Sequence, residues 1–309
     1  MAIFMPPDPL PYRQELCAAI SFPVLFSHRV FAPPAASLEK LLSGLSAPPV
    51  RTLVYLDAGL AAAHPGLAEE ITAFCHDRPA LLRLVDPPKV RPGGEASKQG
   101  WEAIAPRVEE IISARLCRKS QVWALGGGAF LDAVGFAAAL VHRGLPLVRF
   151  PSTALSQGDS GVGVKNGINA SGVKNLLGTF AAPAAVVNDL SFLSTLPPAL
   201  LGDGMAEALK VAIIRDRDFF LFLSQHAGSL RQGDPELLAA MVERSARIHL
   251  DHIRGGGDPF ELGGSRPLDF GHWSAHYLES RSGYTLRHGE AVAIGIALDT
   301  CYAARLGLL

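Results

Sequence analysis

Basic charge is scarce in this chain, and lysine is scarcest. Only seven of its 28 basic residues are lysines (Lys40, Lys89, Lys98, Lys119, Lys165, Lys174, Lys210), and the formal net charge is -1. So even a balance excludes the basic footprint of a nucleic-acid-binding protein. The sequence is 49% hydrophobic, yet no uncharged apolar run reaches membrane-spanning length, so no membrane partner is expected. The start, Met1 to Pro7, has neither a basic segment nor a long apolar one, which predicts no secretory leader and a cytoplasmic location. Cys17, Cys75, Cys117 and Cys301 are scattered and form no CxxC pair, as in a protein of reduced, buried thiols. There is no internal repeat and no long low-complexity stretch. The 309 residues suffice for one large or two medium domains with a real core.

The first 45 or so residues are proline-rich, with a strand around Val24–Phe26. Apolar strand-like runs then alternate with helical ones. Strands are expected at Thr52–Leu56, Leu81–Val85, Gln121–Leu125, Leu145–Phe150 and Ala184–Val187, with helices at Pro65–His76, Trp101–Leu116 and Leu131–Val141. This alternation predicts βαβ units and a parallel sheet. From Leu193 the pattern is helical: Gly204–Ile214, Asp216–His226, Pro235–His252, His272–Glu279 and Gly289–Leu306. A boundary near residue 190 divides an α/β domain (1–190) from an all-helical one (191–309).

One carboxylate and three histidines stand out: Glu207, His272, His276 and His288. A carboxylate with imidazoles is the donor set of a catalytic zinc-type ion with an open coordination position. Glu207 and Lys210 share a helix face at i, i+3, and His272 and His276 at i, i+4. An i, i+3 Glu/Lys pair is often a surface ion pair, but Ala206, Ala208, Leu209, Val211 and Ala212 make this helix apolar almost all round. A charge buried there requires a partner or a metal. Gly126-Gly127-Gly128 follows a strand and opens a helix, which suits a pyrophosphate at the helix N-terminus; alone, it is equally a tight turn. Glu95 and Lys98 lie in a loop suited either to ribose and phosphate or simply to solvent. Ser152, Thr153, Asp159 and Lys165, then Lys174 and Asn175, crowd polar groups into loops beyond a strand, where ligands bind in open α/β sheets.

Taken in order, these segments resemble 3-dehydroquinate synthase and its sugar-phosphate-cyclase relatives. The matches run from Gly93–Lys98 through Gly126–Gly128 with Asp132, Arg143-Gly144, Pro151–Ser160, Lys165, Lys174-Asn175 and Ala206–Lys210 to Phe270–His276 and His288–Glu290. The resemblance implies an N-terminal Rossmann-like parallel-sheet domain, a helical C-terminal domain and an active site in the cleft between them. It implies Glu207, His272 and His288 as ligands to Zn2+ or Co2+. It implies an NAD site at Asp57, Glu95, Lys98, Gly127, Gly128, Asp132, Ser152 and Thr153. Asp159, Lys165, Lys210 and His276 would be catalytic, and Lys174, Asn175 and Asp269 would bind a small sugar phosphate. Arg143 would reach a neighbouring subunit's phosphate site in a homodimer. The implied reaction is oxidation of a secondary alcohol by NAD, elimination of phosphate, return of the hydride and aldol closure to a carbocycle, which makes the protein a carbon–oxygen lyase.

The chain departs from that pattern where dehydroquinate synthases hold the substrate carboxylate. Ser265 aligns with an arginine, Asp269 with an asparagine, and no lysine follows Lys210; His249 or a neighbour stands in for that lysine. Losing the cationic fork should disfavour a carboxylate by about 1.5–3 kcal/mol per charge-assisted hydrogen bond. A non-carboxylated C7 substrate such as sedoheptulose 7-phosphate is therefore expected, as in valiolone-type cyclases. The insertion Gly255–Glu261 resembles divergent dehydroquinate-synthase-like proteins of bacterial ebo clusters. Relatives continue with further helices beyond the position of Leu309, so the C-terminal domain is expected to be shortened here, either because the chain is truncated or because those helices are absent. A true 3-dehydroquinate synthase, a polyol dehydrogenase of the glycerol dehydrogenase type and a non-catalytic family member are the alternatives.

Overall fold

The computed structural model describes residues 14, 19–255, 266–283 and 285–308. Ser265 and the insertion from Gly256 onward lie outside them. The described strands are β1 (Val24–Ser27), β2 (Val50–Asp57), β3 (Leu82–Leu84), β4 (Lys89–Arg91), β5 (Gln121–Gly126), β6 (Leu147–Pro151), β7 (Lys165–Ala170), β8 (Val173–Phe180) and β9 (Ala185–Asp189). Between them lie α1 (Ala36–Ser43), α2 (Ala58–Ala63), α3 (Leu67–His76), α4 (Gly100–Ser113) and α5 (Gly128–Leu140). The chain then becomes helical, with α6 (Pro198–Arg215), α7 (Arg217–Arg231), α8 (Pro235–Gly255), α9 (His272–Arg281) and α10 (His288–Arg305). This is an α/β parallel-sheet region followed by a helical region.

The main sheet runs β1-β9-β6-β5-β2-β3, with β4 beside β3 on the same edge of β2. Every pairing in it is parallel. Its central strands are buried on both faces, which is why they read as nearly continuous apolar runs. Alternate residues serve opposite layers. Val54, Leu56, Trp123, Leu125, Val148 and Phe150 pack with Leu38, Ile71 and Phe74 from α1 and α3. Leu53, Tyr55, Val122, Ala124 and Leu147 pack with Ile104, Leu131 and Val134 from α4 and α5. Trp123 anchors the first layer, its ring centroid 5.3 Å from that of Phe150 and 6.4 Å from that of Phe74.

From β2 the chain goes first to β3 and β4 on one side, then crosses to β5 and β6 on the other. The direction of winding reverses between β2 and β5. In open parallel sheets such a reversal leaves a crevice beyond the strand C-termini, where ligands bind. Asp57 closes β2 there and Gly126 closes β5.

The stretch from Lys165 to Phe180, read from sequence as polar loops, is instead an antiparallel hairpin. Its two-residue turn is Ser171-Gly172, with φ of 50° and 75°; positive φ at both positions matches the twist of paired strands. The hairpin is tied to the sheet by Arg149, a wholly buried guanidinium in β6. Arg149 donates to the carbonyls of Gly163 (2.8 Å) and Lys165 (2.9 Å) and to Asn166 Oδ1 (2.7 Å). Before the hairpin, Ser156–Ser160 forms one π-helical turn, a local widening frequent at functional sites. Gln157 pins it by donating to the carbonyls of Pro151 and Asp189. On the other side, Ser245 of α8 donates to Gly158 O. No helix among the described residues is long and apolar enough to cross a membrane.

Candidate metal and nucleotide site

Glu207 sits mid-way along α6, on a face it shares with the buried Ala208, Lys210 and Val211. His272 is the first residue of α9 and His288 the first of α10. Gly289 lets α10 come that close to α6: a Cβ there would lie 2.3 Å from Asp203 Cα. His272 Nε2 and His288 Nε2 are each 3.5 Å from Glu207 Oε1. The three donor atoms lie within 4.8 Å of one another.

Both imidazoles have Nδ1 turned toward an acceptor. His272 Nδ1 is 3.3 Å from Phe270 O, and His288 Nδ1 is 3.2 Å from Glu279 Oε2. Protonation at Nδ1 satisfies these contacts and leaves both Nε2 lone pairs directed at a carboxylate oxygen. With no proton on either Nε2, three electron-rich atoms face one another, which suits a divalent cation; without a metal, Glu207 and Glu279 hold His288 in its protonated form. Glu207 is 1% exposed, and Lys210 Nζ is 2.5 Å from its Oε2. Even so, neither Glu207 oxygen accepts a well-directed hydrogen bond; the lysine is near but poorly aimed. A buried carboxylate left this way is costly. The donor set therefore fits a divalent cation of the zinc or cobalt kind, with room for a further ligand.

The electrostatics agree with that reading. Burial alone would raise the Glu207 pKa, but Lys210 and the two histidines hold it well below the usual carboxylate range. Lys210 is pushed up despite its burial, by Glu207 first and then by Asp159 and Asp269. His276 stands at the rim, its ring 5.5 Å from that of His272. Burial and the neighbouring His272 lower its pKa, favouring the neutral imidazole. Asp159, on the π-helical turn, is 3.1 Å from the buried His249 Nε2. His249 Nδ1 faces Ser245 O at 2.9 Å. Asp269 is half-exposed, 3.9 Å from Arg266.

The strand-end crevice gathers the residues read from sequence as cofactor-binding. Asp57 Oδ1 accepts from Gly59 N at 2.7 Å, capping α2. Gly93 lies against its carboxylate, where a Cβ would come 1.9 Å from Oδ2. Gly127 caps α5 with no side-chain bond to the helix amides, so that terminus retains donors for an anion. Ser152 N donates to Gly126 O, and Thr153 packs on Gly127. Lys98, 4% exposed, is 3.1 Å from Asp132 Oδ2 and donates to Asn175 Oδ1 at 2.8 Å. Burial raises the Asp132 pKa against the pull of Lys98.

Two features of this region were not read from sequence. Asn169 donates to Glu95 Oε2 (3.2 Å) and accepts from Asn175 N (2.9 Å). Glu279, buried on α9, joins Lys174 to His288. Its signal was its position three residues beyond His276 and seven beyond His272, on the same helix face. Lys165 is exposed at the start of β7. Arg143 is not brought to the cleft within this chain. It is exposed beyond the C-terminal end of α5, about 20 Å of helix from Gly128.

Residues 89–202 match the 3-dehydroquinate synthase N-terminal family model, and residues 204–309 match the C-terminal one. The chain belongs to the 3-dehydroquinate synthase family. It is 39% identical over 263 residues to a 3-dehydroquinate synthase of Paracoccus denitrificans, covering 84% of this chain and 68% of that protein. To that of Symbiobacterium thermophilum it is 40% identical over 217 residues, covering 70% and 60%. The chain thus spans 60–68% of the length of these two relatives. A solved 2-epi-5-epi-valiolone synthase from Streptomyces hygroscopicus, with NAD+ and Zn2+ bound, matches with a TM-score of 0.84 at 31% identity, over 96% of this chain and 78% of that one. A 2-deoxy-scyllo-inosose synthase with carbaglucose-6-phosphate, NAD+ and Co2+ matches at 0.76 and 25%, over 93% and 74%. An iron-containing alcohol dehydrogenase of Thermotoga maritima, at 16% identity and a TM-score of 0.62, shares the fold alone.

Proposed function

We propose that this protein is an NAD- and divalent-metal-dependent sugar phosphate cyclase, a phosphate-eliminating lyase that acts on a C7 sugar phosphate lacking a carboxylate, such as sedoheptulose 7-phosphate. The observation that carries the proposal is the meeting of Glu207, His272 and His288 beside Lys210, and the crevice beyond the C-termini of β2 and β5 is where we place the dinucleotide. Zn2+ or Co2+ held by these three residues would supply Lewis acidity toward a secondary alcohol, and NAD would supply a hydride acceptor restored within each cycle.

The protein's own groups have distinct tasks. Asp57 and Glu95 accept from ribose hydroxyls. The α5 amides at Gly127 and Gly128, with Ser152 and Thr153, hold the pyrophosphate, and Lys98 braces that wall through Asp132. Lys210 and Asp159 bind substrate hydroxyls. His276, kept neutral, is suited to move a proton at the rim. Lys165, Lys174 and, from a second copy of the chain, Arg143 offset the charge of the departing phosphate, and the Asn175 amide donates a hydrogen bond to it.

The choice of a non-carboxylated substrate rests on charge. Asp159, Glu207 and Asp269 act on Lys210, no lysine follows Lys210 in the sequence, and His249, one of the residues expected near the missing lysine's place, is 3.1 Å from Asp159. A substrate carboxylate would meet acids rather than a cationic fork. The identity to 3-dehydroquinate synthases favours the second reading, turnover of 3-deoxy-arabino-heptulosonate 7-phosphate. The test offers both sugars, with NAD and Zn2+ or Co2+, and follows inorganic phosphate and NADH. Phosphate from sedoheptulose 7-phosphate without accumulating NADH supports the proposal. Preference for the heptulosonate overturns the substrate assignment, and stoichiometric NADH overturns the cyclase.

A further inference from the structure

Glu279 is a carboxylate that the reaction above does not use. Its side chain is 4% exposed, and its two oxygens serve different partners. Oε1 accepts from Lys174 Nζ at 2.6 Å, and Oε2 lies 3.2 Å from His288 Nδ1. Lys174 belongs to β8 of the hairpin and also lies 3.7 Å from Glu95 Oε1. The contacts therefore run from the loop bearing Glu95, through the hairpin, to α9 and on to α10, ending at an imidazole whose other nitrogen faces Glu207.

We infer that Glu279 is a positioning residue: it holds His288 with Nδ1 protonated and Nε2 aimed at the metal position, and Lys174 holds Glu279 in place for that task. The inference rests on the metal reading proposed above. A ligating imidazole gains a fixed ring orientation and greater basicity when its remote N–H is held by a carboxylate. A carboxylate this buried keeps its charge and direction only with a cationic partner. Lys174, 2.6 Å away, is the cation that stays charged beside it when His288 gives up its Nε2 proton to bind a metal. Glu279 itself lies beyond His288 from Glu207, so it acts through the imidazole.

The test is Co2+ binding to the full chain without NAD or substrate, followed by titration and by the visible spectrum of the bound ion. Glu279→Gln keeps the shape and removes the charge; its Co2+ affinity should fall about 10- to 100-fold, with an altered spectrum and with the fold retained by circular dichroism. Lys174→Met should also weaken Co2+ binding, by less, and should add nothing in a Glu279→Gln background. The second variant separates positioning from simple field effects, because removing a nearby positive charge would by itself strengthen cation binding. Tighter Co2+ binding by Lys174→Met therefore overturns the role of Lys174. Wild-type affinity and spectrum in Glu279→Gln overturn the role of Glu279. If Glu207→Gln binds Co2+ as well as wild type does, the metal reading falls and this inference with it.

Discussion

Lys210 stands one helical turn from Glu207 with its ammonium 2.5 Å from Oε2, and both side chains are 3% exposed or less. Lys210 supplies a fixed positive charge beside the proposed metal position and keeps the Glu207 carboxyl ionised. Replacing Lys210 by Met would leave that carboxylate with the two histidines alone. The metal-free protein should lose about 3 kcal/mol of stability, as when one partner of a buried pair is removed. Urea unfolding at neutral pH measures it. A loss below about 1 kcal/mol would mean that the histidines already neutralise Glu207.

In the metal-free protein, stability should be greatest in mildly acidic solution. Despite its burial, His288 is raised from 6.5 to about 9 by Glu207 and Glu279. Its contribution is complete below pH 6.5 and is lost as pH rises through 9, about 3 kcal/mol at the 1.36 kcal/mol equivalent of one pKa unit. Glu279, also buried, is lowered from 4.5 to about 2, by His288 first and Lys174 next. Its contribution is present above pH 4.5 and is lost toward pH 2. Melting temperatures from pH 2 to 10 would show both flanks, and His288→Gln should flatten the alkaline one. An unchanged alkaline flank in that variant would refute the assignment.

Gly128 opens α5, where a Cβ would lie 2.5 Å from Ser160 Oγ. Gly128→Ala should crowd the space assigned to the pyrophosphate. NAD affinity should fall at least about tenfold, a change of about 1.4 kcal/mol, while the fold is retained by circular dichroism. Undiminished NAD binding measured by calorimetry would place the dinucleotide elsewhere.

Arg143 lies far from the cleft of its own chain, so any part it takes in phosphate binding must come from a second copy. Arg143→Ala and Glu207→Gln should each be inactive alone. Unfolded together and refolded as a mixture, they should regain a measurable fraction of wild-type phosphate release, because mixed dimers contain one intact site. Full activity in Arg143→Ala alone would remove the subunit-crossing role.

Much of the α/β region was legible because its signals are local. Thr52–Leu56 and Gln121–Leu125 are continuous apolar runs, as strands buried on both faces require, and they appear within β2 and β5. The three-residue β4 and the eight-residue α1 are too short for periodicity to reveal. The hairpin was hidden because Lys165–Phe180 is rich in glycine and asparagine. Its one local cue was the Ser171-Gly172 dipeptide, a turn signal that needs paired strands to give it meaning.

The sequence alone determined which chemistry was available. A carboxylate and three imidazoles were present, Glu207 with Lys210 and His272 with His276 at helical spacings, glycines closed a strand, and few lysines accompanied them. It also pointed to burial of α6, which is apolar almost all round apart from Asp203, Glu207 and Lys210. Only the tertiary structure decided which of these groups meet. Glu207, His272 and His288 come from three helices, and their approach depends on α10 lying close enough to α6 for Gly289 to touch Asp203. Glu279 and Lys174 are over a hundred residues apart, and no local preference could pair them. Backbone periodicity is written in neighbouring residues, whereas a buried charge finds its partner only when distant elements exclude water from the space between them.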